Sequence, residues 1–180
     1  MIYVIASPPN KLDTKGRVSG WRHVPLLPKA KDSWRALLAP LKGRELNAIV
    51  SSDLDSEAAN LAGRELGVPV RTDFGYRRFN VGRYHARPTA VTDDAIRAAE
   101  GRWARNPDIP IREGDSLTSL NKRLVKNFDR LLDEGKDVLF VTDIRTINFI
   151  RGGFNPHELV PNGNTPEVGK IYKVKRAGAD

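Results

Sequence analysis

The chain has 180 residues, of which 39% are hydrophobic and 29% charged; that suits one domain with a substantial core and excludes a disordered or lipid-embedded composition. It contains no cysteine, which excludes disulfides and thiolate metal sites and fits a cytoplasmic protein. Thirty Lys plus Arg against 22 Asp plus Glu leave a net charge of +8, compatible with an anionic partner or with a basic surface that serves solubility alone.

The first residues, Ile2–Ala6, read as a buried strand stopped by Pro8 and Pro9, which cannot donate to a ladder. They lack the basic region and long apolar stretch of a secretory leader, and nothing later is long enough to cross a membrane. Residues Asn10–Pro28 are rich in Gly, Pro and polar side chains and predict a long loop. Lys29–Leu41 carries Trp34, Leu37, Leu38 and Leu41 at helical spacing. Asn47–Val50 predicts a second strand, and Ser52 or Asp53 a cap for a helix running to Leu66 and ended by Gly67. The acidic cluster Asp53, Asp55 and Glu57 suits the positive end of that helix.

Val68–Thr72 predicts a third strand. Asp73–Val91 is irregular, and Thr92–Arg105 helical. A loop over Asn106–Gly114 leads to Ser116, which is placed to cap a helix reaching Glu134. Its apolar stripe is Leu117, Leu120, Leu124, Phe128 and Leu131. Asp137–Thr142 is a fourth, apolar strand. A helix over Asp143–Ile150 ends at Gly152-Gly153. After turn residues Pro161–Pro166, Lys170–Val174 gives one more strand. The chain is read as one domain over residues 1–180.

Strands alternating with helices predict a three-layer α/β/α sandwich around a mostly parallel sheet. Ligands of such sheets sit beyond the carboxyl ends of the strands. That groups Ala6–Asn10, Ser51–Leu54 and Thr142–Arg145 around one cleft.

Several short signals recur in an order of their own. They are Gly16-Arg17, Gly20-Trp21, Pro25-Leu26, Ser51-Ser52-Asp53-Leu54, Arg77–Gly82, Gly114-Asp115-Ser116, Arg123 and the strand Val138–Thr142. Together they resemble the histidine phosphatase superfamily, also called phosphoglycerate mutase-like, from Ile2 to about Val174. The resemblance implies the phosphoglycerate mutase type of sandwich. It also implies a strand-end Arg-His-Gly whose His accepts a phosphoryl group; here those first two positions are Ala6 and Ser7. The family's second phosphate-gripping Arg falls on Ser56, its general acid on Arg78 and its second His on Asp143.

Such chemistry needs an imidazole nucleophile, a proton donor for the leaving oxygen and cations aimed at the phosphorus oxygens. Five replacements at these vestigial positions imply a degenerate member, a pseudoenzyme with a binding or regulatory role toward a protein or an anionic ligand. Arg78 and Asp143 have exchanged an acid/base pair for a base/acid pair. They either form a salt bridge that fills the phosphate site or point separately to solvent.

Two alternatives stay open. One is a phosphohydrolase or phosphomutase with a relocated site, built on His23 or an outside metal. Asn10, Lys11, Arg17, Arg22 and His23 would form its anion-holding rim, although a loop histidine is more often a plain surface residue. The other is a basic nucleic-acid module contacting its partner through Arg77, Arg83, Tyr84 and Arg87, where arginines interleave with aromatics. Core packing by those aromatics is the simpler reading. The three histidines, His23, His85 and His157, lack metal-site spacing, so neither a resident metal nor a cofactor is expected.

Overall fold

The apolar runs pair side by side because each is buried on both faces. The computed structural model describes residues 1–151, 157–161 and 170–176. Six strands form one sheet: β1 (Ile2–Ala6), β2 (Ala48–Ser51), β3 (Val70–Thr72), β4 (Val138–Thr142), β5 (His157–Pro161) and β6 (Ile171–Arg176). Their order is β3-β2-β4-β1-β6-β5. The first four in that order run parallel, and β6 and β5 add an antiparallel edge.

Five α-helices connect them: α1 (Pro28–Leu38), α2 (Ser56–Leu66), α3 (Thr89–Trp103), α4 (Leu117–Asp133) and α5 (Ile144–Phe149). Period-two alternation along the strands divides the core. Tyr3, Ile5, Ile49, Leu139 and Val141 pack with Trp34 and Leu38 of α1 and Ala58 and Ala62 of α2. Ile2, Val4, Val50, Val138 and Phe140 pack with Ile96 of α3, Leu120, Leu124 and Phe128 of α4 and Ile147 of α5. The result is the expected α/β/α sandwich. Trp34, fully buried, also donates its indole N–H to the Ala58 carbonyl at 3.2 Å, tying α1 to α2.

Most element boundaries fall within a few residues of expectation. Helix α1 stops at Leu38, and Pro40 turns the rest of the expected helix into a 3-10 turn, Ala39–Leu41. Helix α3 starts three residues before Thr92, directly after Pro88. Neither Ser52 nor Asp53 caps α2; a 3-10 turn over Asp53–Asp55 intervenes. Gly67 ends α2 with φ 69°, as expected. Strand β5 is additional to the strands expected. The Gly152-Gly153 stop and the turn residues at 162–166 lie outside the described residues. Among those described, no helix is long and apolar enough to cross a membrane.

Helix α4 begins with a reciprocal cap. Ser116 Oγ accepts from the Ser119 amide, and Ser119 Oγ accepts from the Ser116 amide, both at 3.0 Å. Ser119 Oγ also donates to Asp115 Oδ1 at 2.9 Å, joining the cap to the loop before it. Ser116→Ala removes one arm of this box and is expected to cost about 1 kcal/mol. For a chain of this size that lowers Tm by roughly 2–4 °C. Thermal unfolding followed by circular dichroism measures it, and an unchanged Tm would contradict the cap.

Candidate functional site

The carboxyl ends of β1, β4 and β2 lie in one row, with Ala6 opposite Thr142 and Ser51 opposite Val141. The Ser7 amide donates to the Thr142 carbonyl at 2.6 Å, so Ser7 leaves the sheet beside Asp143. The chain after β2 turns at once through Ser52 to Asp55. These turns lie together beyond the carboxyl ends of the strands, where sheets of this topology place their ligands, and make up what is termed the cleft floor.

A buried ion pair occupies that floor. Arg78 Nη2 donates to Asp55 Oδ1, and Arg78 Nη1 donates to Ser19 Oγ at 2.9 Å. The two side chains are 8% and 2% exposed, so both charges have left water. Ser52 Oγ donates to Asp55 Oδ2 at 2.8 Å, and Ser7 lies close enough for its hydroxyl to lower the Asp55 pKa. Arg78 Nε is buried with no partner. Two ions can stay buried only if their mutual attraction and added hydrogen bonds offset desolvation; the Ser52 hydroxyl supplies such a bond at Asp55.

Neither of the two readings of Arg78 and Asp143 describes the pair: no direct bridge joins them among the described residues, and Arg78 is buried on Asp55 and does not point to solvent. Asp143 caps α5 instead, its Oδ1 accepting from the Thr146 amide at 3.0 Å and from the Thr146 hydroxyl. That bond holds the carboxyl at its own helix while Asp55, on the turn one residue before Ser56, reaches Arg78. Asp143 still acts through space: it pushes up the pKa of Asp55 and that of Arg78. Burial, the largest influence on Asp55, raises its carboxyl, against the pull of Arg78, Ser52 and Ser7. Burial disfavours the Arg78 charge, but Asp55, Asp143 and Asp13 outweigh it and hold the guanidinium protonated.

The acidic cluster at the start of α2 is therefore more than a response to the helix dipole. Asp53 takes a bidentate pair of bonds from Arg77, at 2.8 and 2.5 Å. Glu57 accepts from the Leu26 amide at 2.9 Å and pairs with Lys31 at 3.0 Å. Asp55 is the member that sequence reasoning left without a site role. Ser56, half-buried, opens α2.

The backbone carrying Arg78 is pinned from two sides. Trp21 Nε1 donates to the Arg78 carbonyl at 2.7 Å. Arg123 makes two bonds to Asp115, at 3.0 and 2.8 Å, and Nη2 also donates to the carbonyls of Arg77 and Arg78 at 3.3 and 3.4 Å. Trp21 is itself held by its amide, which donates to His85 Nδ1 at 3.1 Å. Gly20 makes that approach feasible: it has φ 52°, and a Cβ there would come within 2.1 Å of the same nitrogen. Burial lowers the His85 pKa.

The expected rim separates into used and unused residues. Asn10 is buried and closes its own turn, Oδ1 accepting from the amides of Leu12 and Asp13 at 2.8 and 3.2 Å. Arg17 donates to the Ala86 carbonyl at 2.7 Å. Lys11, Arg22 and His23 are exposed. The expected nucleic-acid set also divides. Arg77 is locked on Asp53 and lies 4.2 Å from the Phe74 ring centroid and 4.9 Å from that of Trp21. Tyr84 is half-buried against the core, and Arg83 and Arg87 are exposed. No cluster fit to hold a metal occurs among the described residues.

Charge around the cleft favours the negative sign. Asp13, Asp55 and Asp143 all act on Arg78, while Arg145 is paired at 2.5 Å with Asp93. Crowding by protein raises the Asp13 carboxyl above its usual 3.8, with Asp143 adding to the shift and the Asn10 amide, Arg78 and Arg145 opposing it. A carboxyl raised in the folded state penalises folding above its folded pKa, and the penalty disappears below the unfolded value. Asp13→Asn keeps an acceptor for the Asn10 amide and removes the charge. The variant is expected to show a higher Tm than the parent at pH 7, with the difference closing as pH falls toward 3.8. A lower Tm at pH 7 would contradict the assignment.

Comparison with known proteins agrees with this architecture. The family described as histidine phosphatase superfamily (branch 1) matches residues 10–159. A phosphoglycerate mutase from Bacillus anthracis str. Sterne superposes with a TM-score of 0.71 at 21% identity, covering 84% of this chain and 78% of that one. YhfR of Bacillus stearothermophilus gives 0.69 at 19%, covering 99% and 97%. A mycobacterial glucosyl-3-phosphoglycerate phosphatase solved as a complex with VO3 gives 0.70 at 17%, covering 99% of each chain. No curated protein sequence matches. The sheet order and the extent of the family match lead to one conclusion: the chain belongs to the histidine phosphatase superfamily.

Proposed function

We propose that this chain is a pseudoenzyme, a member of its superfamily that has given up phosphoryl transfer and works by binding. The observation that carries the reading is the commitment of Arg78. Its guanidinium is spent on Asp55 and Ser19, inside a cluster that holds two further carboxylates. Unit charges about 4 Å apart interact by about 4 kcal/mol at an effective dielectric near 20. A phosphate dianion entering beside Asp143 and Asp13 would meet repulsion, while Arg78, paired with Asp55, offsets less of it than a free guanidinium.

The nucleophile side supports the same reading. Ser7 stands just past the end of β1, and the nearby carboxylate is that of Asp55, whose pKa the Ser7 hydroxyl lowers. A carboxylate with a hydroxyl donor is a weak base, and a serine needs a stronger one to attack phosphorus. His85 spends its Nδ1 on the Trp21 amide, and His23 is exposed on the loop before α1. Neither contacts Ser7, Asp55 or Arg78.

Solved structures of a phosphoglycerate mutase and a glucosyl-3-phosphoglycerate phosphatase share the fold; the proposed difference in use rests on Ser7, Arg78 and Asp143 of this chain. Turnover of p-nitrophenyl phosphate and a panel of phosphomonoesters is expected to stay at background, and a Ser7→Ala variant to behave like the parent. Turnover that survives Ser7→Ala and disappears with His23→Ala would replace this reading with the relocated-site hydrolase. Turnover lost with Ser7→Ala would overturn it in favour of a serine-based enzyme.

A further inference from the structure

Most arginines of this protein are not free to meet a partner. Eight pair with carboxylates, Arg71, Arg77 and Arg130 among them. Arg44 and Arg151 lie over tyrosine rings. Eight others, Arg17, Arg22, Arg64, Arg83, Arg87, Arg102, Arg105 and Arg112, are exposed and pair with no carboxylate among the described residues. Five of these eight, Arg17, Arg22, Arg83, Arg87 and Arg112, belong to three segments that the backbone ties together, Arg17 also donating to the Ala86 carbonyl.

The ties are specific. Val18 N donates to Arg87 O at 3.1 Å, Ala86 N to Val18 O at 2.8 Å, and Thr89 N to Gly16 O at 2.7 Å. Arg17 and Pro88 form an isolated antiparallel bridge. Arg83 N donates to Arg112 O at 3.2 Å. A Cβ on Gly82 would stand 2.1 Å from Arg112 O, so the two segments touch at the backbone. Ala86 and Glu113 hold φ of 58° and 60°, the only non-glycine residues with positive φ among those described. Surrounding contacts must over-determine such conformations for them to persist. The arginines therefore project from a fixed platform. Glu113 is the acid nearest in sequence to them, and it carries no ion pair.

An aromatic edge adjoins the same platform. Phe74 is 55% exposed, and its ring meets Trp21 edge-on at 5.3 Å between centroids. Trp21 precedes Arg22 and binds His85 through its amide, between Arg83 and Arg87. A core explanation suffices for Tyr84 but not for Phe74. Arg77, behind the Phe74 ring, is neutralised by Asp53, so it serves to orient the ring.

We propose that the surface formed by Arg17, Arg22, Arg83, Arg87 and Arg112, with the exposed ring of Phe74, binds single-stranded nucleic acid. Guanidinium groups without internal carboxylates suit successive phosphates, and an exposed aromatic suits an unpaired base. An acidic protein would use the arginines and leave the ring unexplained. A duplex hides the base faces that the ring could stack on. The proposal goes beyond the pseudoenzyme reading and does not depend on it, because none of these side chains lies on the cleft floor.

The test is fluorescence anisotropy with a labelled oligothymidylate about 15 nucleotides long, within the usual span of such sites. Three to five phosphate contacts predict a slope of log affinity against log salt of about −2 to −3.5. Arg83→Glu/Arg87→Glu is expected to weaken binding at least about tenfold, and Phe74→Ala several-fold with the slope kept. Arg64→Glu/Lys136→Glu makes the same change in net charge, on α2 and before β4, and is expected to leave affinity within about twofold, as a positioned contact differs from general charge. No binding at low salt, or an equal loss in the control pair, would overturn the proposal. So would affinity for duplex DNA or polyglutamate equal to that for the single strand.

Discussion

Arg78 and Asp55 meet beneath the carboxyl ends of β1 and β2, and much of the surrounding local structure serves that contact. Strand β1 ends where the Ser7 hydroxyl lowers the Asp55 pKa, and the turn after β2 supplies both Asp55 and the hydroxyl of Ser52. Trp21 and Arg123 grip the carbonyls on either side of the Arg78 residue, fixing where its side chain starts. A guanidinium at 8% exposure would be intolerable without a carboxylate. The contact thus links the long first loop, the β2 turn, the irregular segment before α3 and helix α4. On the proposed reading it also limits what this site accepts, because Arg78 is already paired inside the protein.

The positive charge of the chain is spent in two different ways. Inside the cleft it is balanced or outnumbered by carboxylates. On the face built from the loop before α1 and the segment before α3 it is left unpaired. These two regions are connected through Gly20-Trp21, whose backbone serves the platform and whose indole serves the cleft. The same architecture can carry different uses, and the side chains at the strand ends decide which.

The sheet was legible in the sequence because its central strands are apolar runs, Ile2–Ala6 and Val138–Thr142 above all. Ser116 was legible as a cap because Ser-x-x-Ser before an apolar stripe has a local meaning. Strand β5 was not: His157–Pro161 contains Glu158 and Pro161 and lies at an antiparallel edge, and its sequence shows no alternation that would mark it. The start of α3 was misplaced because Asp93 and Asp94 resemble a helix start, whereas Pro88 fixes the entry three residues before Thr92. In the cleft, position identified Ser7, Arg78 and Asp143, but partnership did not follow. Arg78 and Asp55 are 23 residues apart, and only the tertiary fold brings them together. Asp143 had a nearer use at Thr146, a local bond that a sequence does reveal when its helix start is read for caps.

The account stands most directly on the coupling between Asp55 and Arg78. A double-mutant cycle with Asp55→Asn, Arg78→Met and their combination, read by chemical denaturation at pH 7, isolates it. Each single variant is expected to lose about 3–5 kcal/mol by leaving an uncompensated buried partner, and the double variant to recover a large part of that loss. A coupling of about 2 kcal/mol or more supports the closed floor. Additive losses, with coupling near zero, would contradict it and return Arg78 to the pool of cations available to an anion.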